Sequence, residues 1–154
     1  MAWTNIHIQR AFETWFEGSS APTQFYYAFA TSAVTPTIDT SATSQLTLVP
    51  AGNGWAGSAA LLRDGAAISV SAYGTPTNNV DFIQANLSSL TLSATTGVGI
   101  PATGSPLRWL LLCGTPGGAG ITEVYDYWDL GGDTTVASGQ SFVISNGALR
   151  GSGA

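Results

Sequence analysis

Leu107-Arg108-Trp109-Leu110-Leu111-Leu112-Cys113 is followed without a break by Gly114-Thr115-Pro116-Gly117-Gly118-Ala119-Gly120. A run this apolar cannot turn either face to water. It is also far short of the ~20 residues that carry a helix across a bilayer. The Gly/Pro cluster forbids continuation as a helix and supplies the positive φ angles of a tight turn. The stretch therefore predicts a central strand buried on both faces. Ile121 to Leu130, rich in Val, Tyr, Ile and Trp, predicts its antiparallel partner beyond the turn. The rest of the chain is expected to wrap this pair.

Upstream of that pair, residues 1–20 predict a helical segment and residues 21–154 a single β domain, a size one core can fill. Thr4 is placed to cap a helix running to about Phe16. Within it Ile8, Phe12, Trp15 and Phe16 fall at i, i+4, i+7 and i+8, one apolar stripe, and Gly18 ends it. That stripe is expected to be buried, either on its own domain or against a neighbouring subunit. Gln24 to Thr31 predicts a strand, and Gln45 to Val49 a shorter one closed by Pro50. Trp55 to Arg63 is open between helix and strand, and Asp81 to Asn86 gives no clear signal. Ala67 to Tyr73 and Leu87 to Ala94 alternate as strands do. Near the end, Phe142 and Ile144 oppose Ser141, Val143 and Ser145. Asn146-Gly147 then offers a turn before Ala148-Leu149-Arg150, and Gly151 to Ala154 is expected as a flexible tail. Many short strands with turn signals between them predict an all-β antiparallel sandwich, jelly-roll-like or Greek key, behind a short N-terminal α-helix.

Composition narrows the function classes. Only 8% of the residues are charged, against roughly 25% in a typical soluble domain. Lysine is absent, and the basic residues are Arg10, Arg63, Arg108 and Arg150. With a net charge of −5 the chain lacks the basic footprint of a nucleic-acid binder. Ser, Thr, Gly, Ala and Asn carry the polar duty, which suits close packing in an assembly. No apolar segment near residue 1 reads as a secretion signal, so synthesis in a cytoplasm is expected, with no membrane partner. Cys113 is the only cysteine and His7 the only histidine. The first predicts a buried inert thiol, and together they fall short of a zinc set. The glycine runs lack the lysine and helix of a phosphate loop. No cofactor or metal is expected, and no catalytic set.

Two other clusters draw notice. Glu123, Asp126, Asp129 and Asp133 are expected to form a solvated rim, with a weak Ca²⁺ site or a hydrolytic carboxylate pair as the alternatives. On a regular strand Tyr125 and Tyr127 share one face while Val124, Trp128 and Leu130 take the other. One of those faces must be the outer one, where tyrosines serve a subunit interface or stack on sugars. Trp3, Ile8, Phe12, Trp15, Tyr125 and Tyr127 are therefore the candidate interface residues.

The order of these features resembles a family of small virion proteins of tailed bacteriophages, the tail-fibre-like and head decoration or cement proteins. The features that carry the resemblance are the N-terminal amphipathic helix, the Phe/Tyr-Ala strand Phe25 to Thr31, and Arg108 to Thr115. To these is added Thr134-Thr135-Val136-Ala137-Ser138-Gly139-Gln140-Ser141-Phe142-Val143-Ile144-Ser145-Asn146-Gly147-Ala148-Leu149. Residues 35–86 depart from the pattern. The resemblance implies a β-sandwich subunit located in the virion, without catalytic residues. It would bind the major capsid protein or other virion proteins and reinforce the head, commonly as a homo-oligomer and most readily a trimer. A tail, neck or fibre component is the alternative within the virion. A carbohydrate-binding β-sandwich module is the alternative from another class.

Overall fold

The computed structural model describes residues 2–17, 21–62, 68–73, 82–102, 104, 106–145 and 147–152. At residues 2, 3, 7, 12, 15, 16, 62, 68–73, 82–86 and 147–152 the description is of the backbone alone. The chain begins with strand β1 (Ala2–Trp3), helix α1 (Asn5–Phe12) and a π-helical turn, Glu13–Glu17. Strands β2 (Gln24–Thr31), β3 (Ala59–Leu62), β4 (Ile68–Tyr73), β5 (Phe82–Leu87) and β6 (Leu90–Ser93) follow. The last four are β7 (Leu107–Thr115), β8 (Gly118–Thr134), β9 (Ser141–Ile144) and β10 (Gly147–Ser152). The protein is mostly β, every paired ladder is antiparallel, and helix is scarce.

The apolar run is the middle of the largest sheet, whose order is β1-β8-β7-β2-β3. β7 lies between β2 and β8, and Leu107 and Leu110 to Gly114 are all buried, as a strand covered on both faces requires. Most of the glycine run joins the strands. Thr115 pairs directly with Gly118, so the turn shrinks to Pro116 and Gly117, the latter at φ 68°. That left-handed backbone is open to glycine at little cost.

Each face of the sheet has its own core. On one, Tyr27, Phe29, Leu107, Leu110, Leu112 and Tyr125 pack with Val49, Trp55, Leu87, Leu92, Ile100 and Val136. Phe29 and Trp55 meet edge to face, ring centroids 5.2 Å apart. On the other, Ala28, Ala30, Leu111, Cys113 and Val124 are closed off by Leu46 and Leu48. Those two belong to the segment predicted as a strand from Gln45 to Val49. It forms instead a 3₁₀ turn, Thr43–Gln45, and a single bridge, Leu48 to Ala30. The Gln45 Oε1 accepts both the Ser41 and Ala42 N–H groups at 2.8 Å, which curls the backbone and prevents a ladder there.

A second, longer ladder runs through four strands. β6 pairs with β9 from Leu90↔Ile144 to Ser93↔Ser141, and β5 pairs with β10 from Leu87↔Gly147 to Phe82↔Ser152. The register is the same on both sides of the break at Ser88 and Ser89. There the Ser88 carbonyl accepts the Tyr27 hydroxyl at 3.3 Å. Burial pushes that phenol up to about 12. β4 flanks β5, so β10-β5-β4 forms a sheet of its own. Gly151 and Ser152, expected in a flexible tail, close the end of β10. Leu90, Leu92, Phe142 and Ile144 pack on the Tyr27–Phe29 core, leaving Thr91, Ser93, Ser141 and Val143 outside.

Candidate functional site

Polar contacts tie the N-terminal segment to β8. β1 pairs with Tyr127 and Asp126, and the Thr4 hydroxyl donates to the carbonyls of Val124 at 2.7 Å and Tyr125 at 3.1 Å. Asn5 Nδ2 donates to Asp39 Oδ1 at 2.8 Å. One turn further on, Arg10 grips Glu123 with a fork, Nη2 to Oε1 at 2.6 Å and Nε to Oε2 at 3.1 Å. Its Nη1 reaches Glu13 at 2.5 Å, and Gln9 Nε2 donates to the same carboxylate at 2.6 Å. The Tyr125 hydroxyl donates to Glu123 Oε2 at 2.8 Å. A two-pronged guanidinium–carboxylate contact fixes direction as well as distance.

The titration behaviour follows from that geometry. Glu123, and then Glu13, stabilise the Arg10 cation and raise its pKa further. Gln9 and then Arg10 hold the Glu13 carboxyl below its ordinary value. Burial, with the hydrogen bond to Glu123 second, pushes the Tyr125 phenol up. A carboxylate whose folded pKa is depressed lends stability above its unfolded pKa and loses it as the pH falls through the folded one. The part Glu13 plays in the clamp is therefore complete above about pH 4.3 and is lost as the pH falls below it. Protection factors over residues 5–12, exchange rates corrected for the intrinsic pH dependence, are expected to fall between pH 5 and 3 before those in β7 change, and Glu13→Gln should remove most of that pH dependence. Equal loss of protection in α1 and β7 would show that the clamp is not a separate unit.

Beside the clamp lies an open pocket of about 180 Å³, bounded by Ala11, Thr14, Pro22, Phe25 and Tyr125 with Arg10 at its edge. Phe25 and Tyr125 meet edge to face at 5.5 Å. Because two glutamates neutralise Arg10, the pocket offers no uncompensated cation to an anion.

The predicted interface residues separate. Tyr125 is only 2% exposed and belongs to the Phe29 core, whereas Tyr127 is half-buried on the opposite face against Trp109, ring centroids 6.1 Å apart. The expectation that both share a face fails at a bulge. Cys113 pairs with Val124 and Leu112 with Asp126, so Tyr125 is an extra residue and the alternation shifts by one. Trp128 accordingly packs with Tyr125, not with Val124. Ile8 is 42% exposed, so the helical stripe is not wholly buried. The π-helical turn after Phe12 also ends the 3.6-residue period on which the stripe relied. Trp3, Phe12 and Trp15 lie on β1, α1 and the π-helical turn, with side chains outside the described residues.

The acidic rim is corrected as well. Glu123 is tied to Arg10, and Asp129 accepts Arg108 Nη2 at 2.8 Å. Asp126 is fully buried at the bulge, where its Oδ1 accepts the Tyr127 N–H at 2.7 Å. Asp133 alone stays exposed without an ion pair among the described residues. No group of three or more His, Cys, Asp or Glu among the described residues is arranged to hold a metal ion. Burial pushes the Cys113 thiol up to about 12, far from a nucleophile's range. Sequence reasoning missed the Arg10–Glu123 fork, whose partners lie 113 positions apart with no local pattern to join them.

No described helix is long and apolar enough to cross a membrane. Comparison with protein-family models, with curated proteins and with solved structures finds no match in any of the three.

Proposed function

We propose that this chain is a structural subunit of a bacteriophage virion, one that decorates and cements the head shell by binding the major capsid protein and copies of itself. The observation that supports this most is where the resembling segments fall. Arg108 to Thr115 is the central strand β7, Phe25 to Thr31 is its neighbour β2, and Thr134 to Leu149 leads through β9 into β10. They are the scaffold of the fold rather than its loops. Packing of the β6–β9 ribbon over the five-stranded sheet supports a sandwich of jelly-roll-like or Greek-key type. A sparsely charged exterior supports association by burial of uncharged surface, worth roughly 25 cal/mol per Å² before the costs of association. No catalytic role is proposed, and the virion is the proposed location.

Particles made in cells that express the chain should contain it in stoichiometric amount by mass spectrometry. Electron cryo-microscopy should show it as regular density on the head. Density confined to tail, neck or fibres would move the role within the virion, and absence from the particle would overturn it. The carbohydrate-binding alternative rests on one observation, the half-buried Trp109 and Tyr127 beside the Arg108–Asp129 pair. Binding on a glycan array that Trp109→Ala abolishes would favour it.

A further inference from the structure

An unpaired strand edge offers a row of N–H and C=O groups to any other strand, and proteins defend such edges with charge, bulges or cover. The edges here are treated unequally. β8 is bridged at Glu123 by Ala42 and at Asp126 and Tyr127 by β1, and beyond those it carries Asp129, Asp133 and Gly131 at φ 82°. β3 runs directly into Arg63 and Asp64. On the outer side of β6, Thr95 N–H donates to the Asn53 carbonyl at 2.9 Å. A Cβ built on Gly54 would stand 2.3 Å from the Ser93 carbonyl oxygen, so the Asn53–Gly54 loop covers that edge closely at its Ser93–Thr95 end. β9 has none of these defences. Its outer edge has no backbone partner among the described residues, and residues 134–149 carry no charge at all.

The ladder fixes which β9 groups are free. Ala94 N–H donates to the Gln140 carbonyl in the register that continues β6–β9, which makes 94/140 a hydrogen-bonded pair. Antiparallel pairs alternate between bonded and non-bonded. Leu92/Phe142 and Leu90/Ile144 are then bonded, while Ser93/Ser141 and Thr91/Val143 are not. The backbone groups of Ser141, Val143 and Ser145 therefore point away from β6. Val143 is also 55% exposed, an isolated apolar side chain on a face otherwise made of Ser and Thr.

We infer that the outer edge of β9 pairs with the same edge of a second copy of this chain, antiparallel, across a two-fold axis through Val143. In that register Val143 faces Val143 of the other copy, and Ser141 faces its Ser145. The ribbon becomes a four-stranded sheet, β6-β9 continued by β9-β6. A second copy is the occupant that the charge pattern favours. Each chain carries −5 overall, and this edge brings two of them together where neither has a charge to repel the other. The inference deepens the self-association named above and rests on it, but it replaces the expected trimer contact with a two-fold one. A five-residue contact is small beside the ~20–30 residues a side of a stable complex, so the dimer is a weak one in solution.

Sedimentation velocity of the full chain from ~10 to ~300 µM tests it, with concentrations set for a small interface. The wild type should shift from monomer to dimer. Val143→Lys should keep the wild-type circular dichroism and melting temperature, because the site is exposed, yet weaken association at least tenfold. Opposite Cβ atoms of a hydrogen-bonded antiparallel pair lie toward the far end of ~4.5–5.5 Å, beyond the ~3.5–4.5 Å of a disulfide but within reach of a short bis-maleimide. Val143→Cys should therefore be cross-linked as a dimer by that reagent, and Ser93→Cys, at the covered end of β6, should not. Self-association that survives Val143→Lys unchanged, or a trimer, would overturn this edge while leaving self-association intact. A wild type that stays monomeric at every concentration would overturn both, whereas the virion assignment stands or falls on the composition of the particle.

Discussion

Phe29→Ala is expected to lower stability by about 3–5 kcal/mol, the range for truncating a buried phenylalanine. At about 2–4 °C per kcal/mol for a domain of this size, the melting temperature should fall by about 6–20 °C. Phe29 is wholly buried in β2 and loses its edge-to-face contact with Trp55 as well as its fit against Leu110. The neighbouring Ala28 and Ala30 face the other core and cannot move in to fill the cavity. Calorimetry on the purified variant gives the answer, and a fall of less than about 3 °C, below the effect of the smallest loss in that range, would mean that the two layers are not packed as described.

Gly54→Ala should come next in size, and Gly97→Ala gives its internal standard. Both glycines lie at strongly positive φ, +100° and +95°, a conformation that costs an L-residue roughly 1–3 kcal/mol. At Gly97 a new Cβ would meet nothing within 4 Å, so only that backbone cost applies. At Gly54 it would stand 2.3 Å from the Ser93 carbonyl, a backbone atom that cannot swing aside. Gly54→Ala should therefore be the more destabilising of the two by at least ~1–2 kcal/mol, and faster exchange at the Thr95 amide should accompany it. Equal losses in urea denaturation would show that the loop does not press on β6.

How far the sequence discloses this arrangement depends on how local each signal is. Leu107 to Cys113 announces a doubly buried strand because its apolar residues are contiguous, and Pro116-Gly117 announces the turn. Phe142 and Ile144 are correctly set on one face, opposite Ser141 and Val143, because plain alternation holds over β9. Tyr127 is misplaced because the bulge at Tyr125 adds one residue, and nothing in Glu-Val-Tyr-Asp-Tyr marks where it enters. The burial of Asp126 is hidden for the same reason, since a carboxylate between two tyrosines reads as exposed. Leu46 and Leu48 look like a strand by composition, and Gln45 diverts them through a side-chain contact that propensity does not encode. Arg10 and Glu123 meet only because tertiary packing brings α1 over β8.

The shared register of β5–β10 and β6–β9 has a consequence for how the chain is made. Leu92 pairs with Phe142 and Leu90 with Ile144, so each partner is synthesised about fifty residues later, at about 5–20 residues per second. The β7–β8 turn, closed by two residues, can form in the meantime. β5 can pair at once with β4, made just before it, but from Leu90 to Ser93 the nascent chain waits about 3–10 s as an uncharged strand with no mate. That interval is when the chain most needs holding chaperones, and it ends only when Ser141 to Ile144 has left the ribosome.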